Sequence, residues 1–198
     1  MNRTRVAAVL FVLSSVILSG CSADPLATEY GSGGNKNYVA GDGTVLEIVP
    51  SKRSKPIEFT GTTDSGATVS RTDFDGKVLV VNFWAGYCAP CRVEAPELQA
   101  LSEKWSSDGV AFLGVNTSDE PETAQAFART YGVTYPSVID ANSGAVQLAF
   151  AGTVAPSALP TTIVLDRQGR VAARILGQIQ AESILDAIIS KLASEDAG

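Results

Sequence analysis

The chain reads as an α/β protein with a mixed central sheet flanked by helices, and three stretches predict it. Lys77 to Phe83 forms one apolar run that enters a Cys88-Ala-Pro-Cys91 turn and then a helical pattern, as a central strand covered on both faces would. Val110-Ala-Phe-Leu-Gly-Val115 repeats that texture and leads into a second helical pattern at Pro121. Thr161–Leu165 and Val171–Ile175 flank Asp166-Arg-Gln-Gly169, a glycine-containing hairpin loop that makes part of the sheet antiparallel.

Taken in order, Met1-Asn-Arg-Thr-Arg5 is a short basic segment, and Val6 to Leu18 is an apolar run of thirteen residues. That is short for a bilayer span and right for a cleaved export signal. The run ends in Leu18-Ser19-Gly20-Cys21, which resembles the bacterial lipobox. Residues 1–20 are therefore expected to be a lipoprotein signal peptide, with Cys21 the lipidated first residue of the mature chain. Each acyl methylene buried in a membrane adds about 0.8 kcal/mol, so several chains on one cysteine anchor firmly. The alternative is an ordinary signal with a chance cysteine. Residues 21–55 are rich in Gly, Ser, Asn and Asp and read as a flexible tether, in which Val45-Leu-Glu-Ile-Val49 could pair as an added strand.

A domain at 56–198 starts where the texture changes. Ile57-Glu-Phe59 and Ala67-Thr-Val69 flank Asp64-Ser-Gly66, which predicts an N-terminal β-hairpin extension. Asp73-Phe-Asp-Gly76 is a turn. The helix behind Cys91 carries Val93, Leu98, Leu101 and Trp105 on one side and ends at Asp108-Gly109. Asp119-Glu-Pro121 opens the next helix, whose inner face is Ala124, Phe127, Ala128 and Tyr131. Pro136–Asp140 is a short strand and Gly144–Phe150 a short helix. The closing helix, Ala181 to Leu192, has Ile184, Leu185, Ile188, Ile189 and Leu192 at helical spacing. Asp73, Asp75, Asp119 and Glu120 read as solvated turn residues, Trp105 as core, and Lys52-Arg53-Ser-Lys55 as a solvated basic knot in the linker.

Composition removes many functions. With 198 residues and 45% hydrophobic content, the chain can bury a full core without disulfide staples. Its formal charge is −6, and loss of Arg3 and Arg5 with the signal would make it −8. An acidic surface without clustered Lys and Arg argues against nucleic acid as a partner. The chain has no histidine, which excludes Ser-His-Asp and Cys-His catalysis and any His-ligated metal.

The chain has three cysteines, so lipidation of Cys21 leaves Cys88 and Cys91. A pair so close in sequence closes almost no loop, and its disulfide would constrain the unfolded chain little. Redox work is the better reason for it; a strained static disulfide or half of a metal site are the alternatives. At the N-terminus of a helix, free N–H groups and the positive dipole end favour a thiolate, so Cys88 is the candidate nucleophile. Cys91, one turn further in, would resolve the mixed disulfide. Pro90 stiffens the turn where the helix needs no donor, and Pro96 removes an i→i−4 bond.

Trp84-Ala-Gly-Tyr-Cys88-Ala-Pro-Cys91-Arg-Val-Glu94-Ala-Pro96, with Leu159-Pro160-Thr161-Thr162 further on, resembles the TlpA/ResA-like thiol-disulfide oxidoreductases. These are membrane-tethered members of the thioredoxin superfamily, and the resemblance runs from Pro56 to Leu192. It implies a thioredoxin-like fold and a cis Pro160 beside the cysteines. The Leu159 backbone would then offer an edge to an extended substrate segment. Trp84, Tyr87, Pro90, Leu159, Pro160 and Thr161 are the expected substrate-binding residues, with Trp84 and Tyr87 read as part core and part docking surface. Glu94 would be a functional carboxylate exchanging protons with Cys91, the alternative being a first-turn glutamate stabilised by the helix dipole. Tyr87 departs from the tryptophan usual in the family, and Gly152-Thr-Val-Ala-Pro-Ser-Ala158 is an extra stretch expected as a rim loop.

The implied activity is reduction of disulfides in envelope proteins, apocytochrome c among them, by a lipid-anchored monomer on the extracytoplasmic face of the cell membrane. It would draw electrons from a membrane thiol carrier and need no metal and no cofactor beyond the Cys88–Cys91 pair. A disulfide oxidase or isomerase of secreted proteins and a thiol-based copper chaperone are the alternatives.

Overall fold

Strand β4 (Val78–Trp84) is the spine of the sheet, with all seven of its residues buried. A strand covered on both faces can be apolar throughout, which is why the run shows no alternation in sequence. The structure is a computed structural model that describes residues 44–152 and 158–195. The expected signal segment, Cys21, the tether before Thr44 and residues 153–157 of the expected rim loop lie outside the described residues.

The remaining elements are β1 (Val45–Glu47), β2 (Thr60–Thr62), β3 (Thr68–Ser70), α1 (Ala89–Trp105), β5 (Val110–Asn116) and α2 (Pro121–Tyr131), then β6 (Ser137–Ile139), α3 (Ala145–Ala149), β7 (Thr161–Leu165), β8 (Val171–Leu176) and α4 (Glu182–Ala193). Six strands form one mixed sheet in the order β1-β8-β7-β4-β5-β6. β4, β5 and β6 run parallel, joined by α1 and α2, whereas β7, β8 and β1 each pair antiparallel with their neighbours.

Alternating side chains of β4 feed two cores. Val78 and Val80 pack in a cluster with Leu98 and Leu101 of α1 and Leu185, Ile188 and Ile189 of α4. Leu79, Val81 and Phe83 join Phe59, Val146 and Phe150 on the opposite face, under the hairpin and α3. The hairpin β2–β3 is a separate two-stranded sheet, tied to β6 by a Thr63–Val138 bridge and by the Asp64 N–H donating to Ser137 O at 2.8 Å. Its pairing starts at Thr60, three residues later than the sequence predicts. Phe59 is instead buried against Phe150, and the Ile57 N–H donates to Gly169 O.

Three expectations need correction. The domain reaches back past residue 56, because Val45–Glu47 pairs with Ile175–Ala173 and covers the edge of β8, which would otherwise expose unpaired backbone groups. Arg53 is not a solvated linker cation. Its side chain is 2% exposed and its Nη1 donates to Asp166 at 3.0 Å and to Glu195 at 2.6 Å. The buried Asp166 carboxylate needs cationic partners, and Arg170 at 2.8 Å is the other. Val93 is 56% exposed, since the stripe Cys91, Glu94, Ala95, Leu98 and Leu101 turns inward and Val93 falls on the far side of α1. Trp105 is half-buried, with its indole N–H donating to Asp186 on α4 at 2.8 Å.

Candidate active site

β4 carries the chain to the C-terminal end of the parallel strands, where it turns through Ala85 to Cys88. The turn is closed by the Cys88 N–H donating to Ala85 O at 3.1 Å. Cys88 is the N-cap of α1, with extended backbone, and its Sγ accepts from the Cys91 N–H at 3.2 Å. A sulfur that receives a backbone N–H at a helix N-terminus is placed where a thiolate is favoured. Pro90 falls in the first turn, where its missing N–H costs nothing. Cys88 and Cys91 form a disulfide with sulfurs 2.04 Å apart.

The pair is more covered than a helix N-terminus suggests. Cys88 is 6% exposed and Cys91 2%, because Trp84, Ala85 and Ala124 close around them, with Phe127, Ile139 and Leu159 at the rim. The Leu159–Pro160 peptide bond is cis, and Pro160 O accepts from the Gly177 N–H at 2.9 Å. Of the other residues expected to meet substrate, Tyr87 is 69% exposed, Pro90 and Leu159 are half-buried, and Trp84, Pro160 and Thr161 are buried. Thr161 Oγ1 donates to Ala158 O at 2.5 Å, so this side chain shapes the turn and does not face solvent. Trp84 is likewise core: its ring packs on Phe127 at 4.2 Å between centroids and its Nε1 donates to Ser137 Oγ at 3.0 Å. Gly114 makes that possible, since a Cβ there would lie 2.0 Å from Ser137 Oγ and 2.9 Å from Trp84 Nε1.

Glu94 lies one turn beyond Cys91 on the buried stripe and is 1% exposed. Its Oε1 accepts from Asn82 Nδ2 at 2.8 Å and its Oε2 from the Ile179 N–H at 3.2 Å. Burial lifts its pKa from 4.5 to about 7; the Ile179 and Asn82 bonds oppose the rise and the Glu97 charge adds to it. A carboxyl that titrates near neutrality can both give and take a proton. Asn82 also donates to Thr162 Oγ1 at 3.1 Å. A small cavity beside Cys91 is lined by Asn82, Trp84, Tyr135, Ser137 and Asp64, among others. Burial raises the Tyr135 phenol pKa, with the Glu94 charge as a second cause.

Two groups escaped the sequence. Asn82 has one signal, an amide inside an otherwise apolar strand. Asp119 is not a solvated turn residue. Its Oδ2 accepts from the Gly86 N–H at 2.6 Å and from Asn116 Nδ2 at 2.7 Å, beside the cysteine turn. Nothing in the chain between Gly86 and Asp119 announces that contact. Among the described residues no group of three or more Cys, Asp and Glu is placed to hold a metal, and no helix is long and apolar enough to cross a membrane.

A Redoxin family model matches residues 42–189. Over 133 residues the chain is 38% identical to the thiol:disulfide interchange protein HelX of Rhodobacter capsulatus, which covers 65% of this chain and 70% of that protein. It is 36% identical over 113 residues to the thiol-disulfide oxidoreductase ResA of Geobacillus thermodenitrificans, spanning 57% of this chain and 62% of that one. Among solved structures, a DsbF homologue from Corynebacterium diphtheriae superposes with a TM-score of 0.68 at 33% identity, over 80% of this chain and 100% of that one. A secreted thiol-disulfide isomerase from Corynebacterium glutamicum gives 0.70 at 30% identity, over 82% and 100%. On a thioredoxin-like fold, with a Cys-x-x-Cys pair capping α1, the chain belongs to the Redoxin family and is a thiol-disulfide oxidoreductase of the ResA and HelX type.

Proposed function

We propose that this oxidoreductase works as a reductant of disulfides in envelope proteins such as apocytochrome c, held at the outer face of the cell membrane by a lipid on Cys21. The observation that carries the exchange chemistry is the buried Glu94 carboxyl one turn behind Cys91, placed where it can take up and return a proton, and the direction is what the reduction potential below decides. In the reduced enzyme the Cys88 thiolate attacks a partner disulfide, and one partner sulfur leaves and takes up a proton. Cys91 then gives its proton to the Glu94 carboxylate and attacks Cys88 Sγ, so the second partner sulfur leaves and the Cys88–Cys91 disulfide forms. Two electrons have passed to the partner, and a membrane thiol pair restores the dithiol. No cofactor enters the cycle.

Leu159 and Pro160 supply the edge along which the partner segment lies, with Tyr87 and Pro90 beside it. The apolar cover around Cys88 supports this arrangement, since a docked segment would replace solvent over the sulfur. Residues 1–20 are the signal and the residues from Cys21 to about Thr44 the tether, which leaves a monomeric domain free to meet membrane-bound partners. The deciding measurement is the reduction potential of the Cys88–Cys91 pair, with trapping of mixed disulfides by a Cys91→Ala variant in the envelope. A potential near that of thioredoxin, about −270 mV, and capture of apocytochrome c are expected; a potential near about −120 mV overturns the reductant assignment. A second reading, isomerase or oxidase of secreted proteins, draws support from the 30% identical secreted isomerase of C. glutamicum. Recovery of scrambled ribonuclease by the purified chain would favour it.

A further inference from the structure

Gly86 lies two residues before Cys88, and both of its backbone polar groups are gripped by charged side chains. Its N–H donates to Asp119 Oδ2 at 2.6 Å, while its carbonyl accepts from Arg92 Nε at 2.9 Å and Nη2 at 2.6 Å. Each contact pairs a charged side chain with a backbone group, the stronger kind of hydrogen bond. Asp119 is itself held. The fully buried Asn116 donates to Asp119 Oδ2 at 2.7 Å and accepts from the Ser118 and Asp119 N–H groups at 3.0 and 2.7 Å. A glycine suits the approach, since a Cβ on Gly86 would lie 3.1 and 3.3 Å from the two carboxylate oxygens and would press the carboxylate outward. The grip therefore joins the loop that precedes α2 to the first turn of α1, across the turn that bears the reactive sulfur.

We propose that Asp119 and Arg92 are positioning residues for thiol-disulfide exchange. By clamping the Gly86 N–H and carbonyl they hold Cys88 Sγ and the exposed Tyr87 ring in the pose that meets a partner disulfide. The proposal rests on Cys88 being the attacking thiol. The clamp matters most in the reduced enzyme. There the covalent link from Cys88 to Cys91 is open, and the hydrogen bonds to Gly86 act beside the Cys88 N–H to Ala85 O bond to fix the turn. Reaction rates are steep in such geometry, so a loose turn loses encounters without losing the thiolate.

The test uses the full chain with Asp119→Ala, Asp119→Asn and Arg92→Ala, and insulin as the disulfide substrate. Asp119→Ala and Arg92→Ala are expected to lower kcat/KM about ten-fold. Asp119→Asn keeps an acceptor oxygen for the Gly86 N–H and should restore most of the loss. Exchange of the Gly86 amide hydrogen should accelerate in Asp119→Ala alone. Alkylation of Cys88 by iodoacetamide, a small reagent that needs no docking pose, should stay close to wild type across pH in a Cys91→Ala background. Wild-type kcat/KM in both alanine variants overturns the proposal. So does a loss that asparagine does not restore, or an equal change in alkylation, which would place the effect on the thiolate charge. Arg92 is exposed, so its variant reports even if Asp119→Ala fails to fold. If Cys88→Ala still reduces insulin, the assignment of the attacking thiol fails; if it is inactive while the alanine variants are normal, only the clamp fails.

Discussion

Asn82 Nδ2 lies 2.8 Å from Glu94 Oε1 and 3.1 Å from Thr162 Oγ1, so one buried amide ties the carboxyl on α1 to the strand that follows Pro160. Glu94 also accepts from the backbone of Ile179, and Gly177, two residues earlier, donates to Pro160 O. The proton partner and the expected substrate edge thus share both a side-chain link and a backbone link.

Glu94 should make stability depend on pH in a defined window. Its folded pKa, about 7, stands above the value of 4.5 that it has when unfolded. Between those values the unfolded chain has released the proton and the folded chain still holds it, so stability falls as pH rises, by on the order of 3 kcal/mol. Above pH 7 the contribution is flat. Urea unfolding of wild type and Glu94→Gln from pH 4 to 8 checks this, with the glutamine variant expected to lack the slope. Parallel curves for the two proteins would rule it out.

Asn82→Ala removes the donor to both Glu94 and Thr162. Leaving a buried carboxylate short of a partner costs about 1–3 kcal/mol. The loss should be larger at pH 8 than at pH 5, because only the charged carboxylate misses the amide strongly. Denaturation at the two pH values measures it, and an equal loss at both would contradict the linkage.

Arg53→Met strips one cation from the buried Asp166 carboxylate and from Glu195. Arg170 remains on Asp166, which limits the cost to about 2 kcal/mol. The urea midpoint should fall while insulin reduction by the folded protein is unchanged, since the network is at the far end of the sheet from Cys88. A midpoint at the wild-type value would mean that the Arg53 ion pairs contribute nothing to stability.

Gly114→Ala would drive a Cβ to within 2.0 Å of Ser137 Oγ. Overpacking of this kind costs about 1–3 kcal/mol, and here it also breaks the Trp84–Ser137 bond. Near-ultraviolet circular dichroism should change through Trp84, and insulin reduction should weaken because Trp84 packs in the same cluster as Cys88 and Cys91. An unchanged spectrum would show that β6 simply moves aside.

The chain alone determined the order of elements, the mixed sheet, the helix behind the cysteines and the residue types at its N-terminus. Those features rest on local periodicity and on short spacings, such as Cys88 to Cys91 to Glu94, that a helix converts directly into a shared face. Only the folded protein decided that Asn82 reaches Glu94, that Asp119 grips Gly86 across thirty-three residues, that Arg53 is buried, and that Cys88 lies under Leu159 and Trp84. Each of these joins segments far apart in the chain through one or two polar atoms or a packed rim. A polar side chain carries no periodic signature of its partner, because the partner is chosen by which strands and helices stack, and that depends on the whole core.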